Sequence, residues 1–143
     1  MFGHPRFFDD RETRALQSAF QELLEMEVLT NVATAEDGIT KVSDRQNLQI
    51  CPLSYHHLLF AALSFHSEIR DVLTQLIDGD VYKMLDQIFY KPEYIGVRTN
   101  WHQDNYYFRM PSPFSGTAMW IALHDATIQN GTIRVIPKAL ILF

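Results

Sequence analysis

Two short His-x-acidic motifs give the sequence its clearest metal-binding chemistry. They are His102-Gln103-Asp104 and His66-Ser67-Glu68. Six His and seventeen acidic residues should produce such a motif by chance roughly 0.7 times, so the spacing alone is a weak indication. On a helix, positions i and i+2 point to different sides, whereas on a strand they face the same way, about 6.6 Å apart. His102 and Asp104 fall in a segment with strand character, so we expect their side chains to converge on one ion.

An imidazole and a carboxylate together suit a borderline divalent metal. A second His would complete the facial triad of the non-haem iron(II) oxygenases. Three coordination positions would then remain, enough for a bidentate 2-oxo acid and for O₂. The alternative interpretation is a surface His that happens to lie near an Asp.

The elements that must position this pair divide the chain into a helical part, about residues 8–86, and a strand part, about 87–143. In residues 10–25 the apolar side chains recur every three or four positions, which predicts an amphipathic helix with Asp9 or Asp10 as its cap. Residues 31–49 lack periodicity and predict a surface loop that ends in a short extended segment near Leu48. Two further helices are expected, one opened by Pro52 and one running from Ser67 to Gly79.

After Met84 the sequence is rich in aromatic and β-branched residues and is interrupted by Pro and Gly, as is typical of strands and turns. Residues 118–124 alternate, with Trp120 and His124 on one face. Asn130-Gly131 predicts a type I′ hairpin turn. The strands expected in this part are residues 88–90, 94–95, 106–108, 118–124 and 132–136.

Three segments of the strand part resemble the phytanoyl-CoA dioxygenase family. They read TNWHQDNYYF at residues 99–108, TAMWIALHDAT at 117–127 and QNGTIRVIP at 129–137. The resemblance is specific from about Met84 to Pro137. It implies iron(II) bound by His102 and Asp104, with 2-oxoglutarate as the cosubstrate. It also implies that 2-oxoglutarate is decarboxylated to succinate while a C–H bond of a small organic substrate is hydroxylated.

By the same resemblance, Gln103, Trp120 and Met84 line the 2-oxoglutarate pocket. Without it, Trp120 would be interpreted as a core aromatic residue on a strand, and Met84 is a weaker candidate still. Lys91 stands where many bacterial relatives also carry Lys-Pro. Its alternative is a solvated strand end.

The fold that the resemblance implies is of the α+β class. N-terminal helices would pack on a double-stranded β-helix core, jelly-roll or cupin-like, in one domain over residues 1–143. Relatives usually continue beyond the Val-Ile-Pro element with Gly-Ser-His and supply the second iron His and a carboxylate-binding Arg downstream. Here Pro137 is followed by KALILF. We therefore expect the C-terminal half of the jelly roll, and both of those residues, to be missing.

This expectation leaves alternatives to an active enzyme. One is a truncated, non-catalytic jelly-roll fragment or pseudoenzyme that lacks the third iron ligand. Another is a cupin-like metal-binding protein without 2-oxoglutarate chemistry. His124 is a candidate replacement ligand, although the family typically has an acidic residue there. The remaining candidates are Arg98, Arg109 and Arg134 as carboxylate partners, with exposure expected for Arg134, and His56, His57 and His66 as packed or surface residues.

The composition limits the classes of partner that the protein is expected to bind. A net charge of −5 with scattered basic residues argues against nucleic acid, and no apolar stretch approaches the roughly 20 residues of a membrane span. The single Cys51 and the absence of a signal-peptide pattern predict a reducing, cytoplasmic location. The expected partners are the small-molecule substrate and O₂. Self-association through exposed sheet edges is expected unless the apolar tail, residues 139–143, covers them.

Overall fold

The computed structural model describes residues 7–111 and 116–136, and it combines helices with one antiparallel sheet. This arrangement agrees with the predicted α+β class. Within the described residues the α-helices are α1 (Asp10–Glu25), α2 (Leu58–Leu63), α3 (Ser67–Ile77) and α4 (Asp104–Phe108), and a 3₁₀ turn covers Leu53–Tyr55. The strands are β1 (Thr30–Asn31), β2 (Leu48–Ile50) and β3 (Ile88–Tyr90).

Helix α1 begins as its sequence predicts, because local interactions suffice to fix its start. The Asp9 side chain accepts hydrogen bonds of 2.7 Å from the backbone N–H groups of Arg11 and Glu12. In return the Glu12 carboxylate accepts from the Asp9 backbone N–H at 2.9 Å. This reciprocal capping box satisfies N–H groups that have no partner within the helix.

The core forms where the apolar face of α1 meets the sheet and the turn that follows β2. The sheet order is β1-β2-β3, with Leu48 opposite Tyr90 and Ile50 opposite Ile88. The Tyr90 ring makes an edge contact with Phe20, with ring centroids 5.4 Å apart. The buried cluster consists of Leu16, Ala19, Phe20, Leu23, Ile50, Leu53 and Phe60.

The strand part differs most from the sequence-based prediction. Of the strands predicted there, only β3 forms within the described residues. In the other part of the chain, β2 coincides with the short extended segment predicted near Leu48, whereas β1 was not predicted. Residues 94–95, 118–124 and 132–136 are not strands, and residues 106–108 belong to α4. An alternating pattern becomes a strand only when a neighbouring strand shares its hydrogen bonds. Within the described residues, the segment at 94–95 leads only into an isolated bridge between Gly96 and Gln46, and residues 118–124 and 132–136 have no strand pairing.

The turn at Asn130-Gly131 is present, but its geometry is not the predicted type I′. Gly131 has φ +90°, while Asn130 does not have a positive φ. The Asn130 side chain instead accepts from the Thr127 backbone N–H at 2.7 Å and donates to the Asp125 carbonyl. These side-chain bonds close the turn without strands on either side.

Helix α3 ends at Ile77, and its C-cap is Asp78, with φ +57°, one residue before the predicted stop at Gly79. Within the described residues, no helix is both long enough and apolar enough to cross a bilayer. The predicted covering tail, residues 139–143, lies outside the described residues.

Candidate metal site

The structure brings the side chains of His102 and Asp104 together. Gln103 is extended, with φ −111° and ψ 130°, and α4 begins at the next residue. One extended residue between them is enough to turn positions 102 and 104 to the same side. His102 Nε2 lies 3.4 Å from Asp104 Oδ1. The convergence therefore occurs at the start of a helix, not along the strand that the sequence suggested.

A hydrogen bond to the backbone orients the His102 ring. Its Nδ1 lies 2.7 Å from the carbonyl oxygen of Asn100. Because a carbonyl oxygen only accepts, Nδ1 must carry the proton that is donated. In the neutral ring, Nε2 then has a lone pair directed toward Asp104. Metal-binding His residues are commonly fixed by a hydrogen bond of this kind from their other ring nitrogen.

The chemistry of these two donors fits a divalent metal ion. With bonds of about 2.1 Å, an imidazole nitrogen and a carboxylate oxygen at right angles on one ion are separated by about 3.0 Å. The observed 3.4 Å is close to that separation. In a neutral ring, the Nε2 lone pair would face the carboxylate oxygen with nothing between them, so a proton or a cation is needed there. Both side chains reach solvent, with 37% of His102 and 59% of Asp104 exposed.

Aromatic side chains surround the pair. Tyr107 makes an edge contact with the His102 ring at 5.7 Å between centroids, and Tyr106 packs against Tyr107 at 5.4 Å. On the other side, Arg134 Cζ lies 5.7 Å from the centre of the Trp101 ring. These contacts place residues from α4 and from the segment after the Asn130 turn beside the same motif.

Backbone bonds attach the segment before the motif to the loop between β1 and β2. The Gln46 N–H donates to the Ile95 carbonyl at 2.9 Å, and the Val97 N–H donates to the Gln46 carbonyl at 3.0 Å. The buried Asn47 donates from Nδ2 to Thr99 Oγ1 at 3.1 Å. The loop, which its sequence predicted to be a surface connection, therefore supports the segment that leads to His102.

The described residues contain no group of three His, Cys, Asp or Glu side chains that could hold a metal ion. His124 is exposed, and the strand that would have aligned it with Trp120 is not formed. His57 caps α2 by accepting from the Leu59 N–H at 3.1 Å and lies 3.4 Å from Glu22. His66 lies 3.8 Å from Glu12 and packs on Phe7 and Phe8. These two His residues connect the helices.

The candidate cosubstrate residues lie in three different segments. Gln103 is partly buried within the motif itself. Met84 and Trp120 are 57% and 50% exposed, so neither occupies a closed pocket. The segment after Trp120 is fixed to α1, because Gln17 Nε2 donates to the Leu123 carbonyl at 2.6 Å.

The basic residues near the site differ in their surroundings. Burial lowers the pKa of Lys91, whose Nζ lies 3.4 Å from the Gly131 carbonyl. Arg98 and Arg109 are exposed, and Arg109 ends α4 with φ +49°. Arg134 is exposed as expected, although not because of strand alternation, since its neighbour Val135 is 53% exposed as well.

Comparison with known proteins gives a match over nearly all of the chain. The family model described as phytanoyl-CoA dioxygenase (PhyH) matches residues 3–139. The phytanoyl-CoA dioxygenase domain-containing protein 1 homolog of Dictyostelium discoideum is 34% identical over 80 residues. That alignment covers 54% of this chain and 27% of the relative, so the match spans about a quarter of the relative's length. No solved structure matches the chain.

Proposed function

Because the chain belongs to the phytanoyl-CoA dioxygenase family, we propose that it carries two ligands of an iron(II) site in a 2-oxoglutarate-dependent dioxygenase. The reaction class is hydroxylation of a C–H bond in a small organic substrate, with decarboxylation of 2-oxoglutarate to succinate. The observation that supports this most directly is the pair His102 Nε2 and Asp104 Oδ1, 3.4 Å apart, with His102 Nδ1 bonded to the Asn100 carbonyl.

The proposed roles follow from the donor chemistry. His102 presents a neutral imidazole nitrogen to the metal, and Asp104 presents an anionic oxygen that offsets part of its charge. When bound, iron(II) supplies the redox chemistry that couples 2-oxoglutarate and O₂ to substrate oxidation. Gln103, Trp120 and Met84 are assigned to the cosubstrate pocket by their match to the family pattern. The third iron ligand and the Arg for the distal carboxylate of 2-oxoglutarate are not assigned to any residue.

The fold assignment extends the observed α+β arrangement. We assign α1, α2 and α3 to the helices that pack on a jelly-roll core. The described sheet β1-β2-β3 supplies only part of such a core, since a complete jelly roll has eight strands. A cytoplasmic location and self-association through the sheet edges remain predictions.

Anaerobic titration with Fe²⁺ tests the metal site directly. The 143-residue chain is expected to bind one Fe²⁺, and His102→Ala or Asp104→Ala is expected to weaken binding at least tenfold, because each removes one ligand. His124→Ala is the matched control, since His124 is exposed and, within the described residues, forms no metal-binding group with His102 and Asp104. Binding that is unchanged in both ligand variants would refute the assignment.

Succinate release separates the enzyme from its alternatives. An active dioxygenase releases succinate only when Fe²⁺ and 2-oxoglutarate are both present, and His102→Ala abolishes this release. Weak Fe²⁺ binding without succinate indicates the non-catalytic fragment that lacks a third ligand. Tight metal uptake without consumption of 2-oxoglutarate indicates a cupin-like metal-binding protein.

A further inference from the structure

The carbonyl that orients His102 belongs to a residue whose own side chain is held by a distant loop. Asn100 Nδ2 donates to the carbonyl oxygens of Ala35 and Glu36, at 3.1 and 3.3 Å. These acceptors lie 65 and 64 positions earlier in the chain. Asn100 therefore contacts the β1–β2 loop with its side chain and His102 with its backbone carbonyl.

The loop provides a fixed pair of acceptors. The Ala35 N–H donates to the Thr40 carbonyl at 2.8 Å, and the Gly38 N–H donates to the Ala35 carbonyl at 3.0 Å. Asp37 accepts from the Ile39 and Thr40 N–H groups, both at 2.9 Å. Hydrogen bonds, that from the Thr40 hydroxyl above all, lower the pKa of Asp37 and so keep its carboxylate charged and able to accept.

The hydrogen-bonding groups of the loop also favour Asn at this position. Gly38 has φ +70°, which Gly readily adopts and which is strained for most other residues. The carbonyls of Ala35 and Glu36 are thereby presented by a tight turn, and the Asn100 amide offers the two donor hydrogens that two carbonyls require.

We propose that Asn100 is a positioning residue for the metal ligand His102, an inference that rests on the proposed iron site. The Asn100 amide fixes its own backbone against the carbonyls of Ala35 and Glu36. Its carbonyl then holds the Nδ1 proton of His102, so the Nε2 lone pair points toward Asp104 and the metal. Loss of such an outer partner typically weakens metal binding 10–100-fold.

The experiment compares two isosteric substitutions. Asn100→Asp keeps the shape of the side chain but replaces the donor nitrogen with an acceptor that repels both carbonyls. Asn130→Asp is the matched control, because Asn130 Nδ2 also donates to a backbone carbonyl, that of Asp125, in an exposed turn. Circular dichroism verifies the fold of each variant.

The readout is the tautomer of His102, from long-range ¹H–¹⁵N spectra at mildly alkaline pH, where imidazole is neutral. The metal-free chain is studied in an Asp104→Ala background, because the Asp104 carboxylate would otherwise compete with the Asn100 carbonyl for the ring proton. The signals are assigned by their loss in His102→Ala. The Asp104→Ala reference is expected to show predominantly the Nδ1–H form. Asn100→Asp is expected to lower the ratio of Nδ1–H to Nε2–H about fivefold, the ratio supported by one hydrogen bond of about 1 kcal/mol. Asn130→Asp is expected to leave the ratio unchanged.

Two results would overturn the proposal. One is an unchanged tautomer ratio in folded Asn100→Asp, or an equal change in both variants. The other is a predominant Nε2–H form in the Asp104→Ala reference, which decides the matter even if Asn100→Asp fails to fold.

A parallel Co²⁺ titration separates this inference from the proposed function. The dissociation constant for Co²⁺ is expected to rise about tenfold in Asn100→Asp. If wild type binds no Co²⁺ or Fe²⁺ but the Asp104→Ala reference shows the Nδ1–H tautomer, the iron site is refuted, while Asn100 still positions His102.

Discussion

Asp86 connects the turn after β2 to the segment before β3, and its removal is expected to destabilise the fold. Its Oδ1 accepts from the Leu53 N–H at 3.0 Å and from the N–H and hydroxyl of Ser54, both at 3.2 Å. Its Oδ2 accepts from Lys83 Nζ at 3.0 Å. The carboxylate is 20% exposed, and Leu53 belongs to the buried core.

The magnitude follows from which partners are left without a bond in Asp86→Ala. The Leu53 N–H keeps the Asp86 backbone carbonyl, 3.1 Å away, so it does not become an unsatisfied buried donor. The partly buried Ser54 groups can turn to water. Hydrogen bonds to charged groups contribute about 1.5–3 kcal/mol, and we expect a loss of about 2 kcal/mol.

Urea unfolding at pH 7, followed by circular dichroism, measures this loss. With a slope of about 2 kcal/mol per M, the midpoint of Asp86→Ala is expected to fall by about 1 M. Asp44→Ala is the control, since Asp44 is an exposed Asp in the β1–β2 loop, and it should change the free energy of unfolding by less than about 0.5 kcal/mol. Equal midpoints for Asp86→Ala and wild type would refute the proposed role of Asp86.

The same carboxylate predicts a dependence on pH. Burial alone raises the pKa of Asp86, but hydrogen bonds from Lys83 and Ser54, together with the Lys83 charge, outweigh it and leave the pKa below its usual value. A pKa that is lower in the folded state stabilises the fold above the unfolded pKa of about 4 and ceases to do so as pH falls through the folded value. The difference in free energy of unfolding between wild type and Asp86→Ala should therefore shrink below about pH 4. A constant difference between the two proteins down to pH 2 would contradict this.

Two further substitutions test local features of the fold. Asp9→Ala removes the side-chain half of the capping box and should destabilise α1 by about 1 kcal/mol, measured as faster amide exchange in its first turn; unchanged exchange would show that the cap contributes nothing. Lys91→Met keeps the aliphatic part of the side chain and removes its ammonium group. Burial disfavours the charged ammonium and lowers the pKa of Lys91, so the urea midpoint of Lys91→Met at pH 7 should exceed that of wild type. This gain should shrink as pH rises through the folded pKa of Lys91, below its usual 10.5, because deprotonation removes the same charge; a lower midpoint would contradict the argument.

The parts of the fold that follow from sequence are those fixed by local interactions. The face of α1 is determined by spacings of three and four, and its start is determined by Asp9 and Glu12. The short extended segment near Leu48 was also predicted, and it forms β2. The family assignment is confirmed by the match over residues 3–139. It could be made from the sequence because it depends on the identity of the motif residues and not on their contacts in the fold.

The strand part could not be predicted in this way, because the existence of a strand depends on its partner. Tyr106 and Tyr107 have high β propensity, yet they lie in α4. A β propensity of about 1 kcal/mol is too small to determine the conformation of a five-residue segment on its own. Residues 118–124 alternate well, but this segment is held by Leu123, which packs against the core and accepts a hydrogen bond from Gln17. Gln17 and Leu123 lie 106 positions apart, so no local sequence pattern predicts their contact.

The candidate site shows the same division. His102 and Asp104 could be found from their types, their spacing and the family-like residues around them. Asn100 lies in the same segment, TNWHQDNYYF at residues 99–108, but its role could not be predicted, because it depends on the carbonyls of Ala35 and Glu36. Asn favours segments without periodicity because its amide both donates to and accepts from the backbone.

The attachment of the metal segment to the β1–β2 loop makes the test of Asn100 selective. Residues 95–97 are bound to Gln46 by two backbone bonds, and Thr99 is bound to the buried Asn47. These bonds do not involve the Asn100 side chain, so they should hold the segment in place in Asn100→Asp. The change should then be confined to the end of the segment, where the Asn100 carbonyl meets His102. A loss of global stability as large as that in Asp86→Ala would instead show that Asn100 supports the whole loop, and that its effect on the metal ligand is secondary.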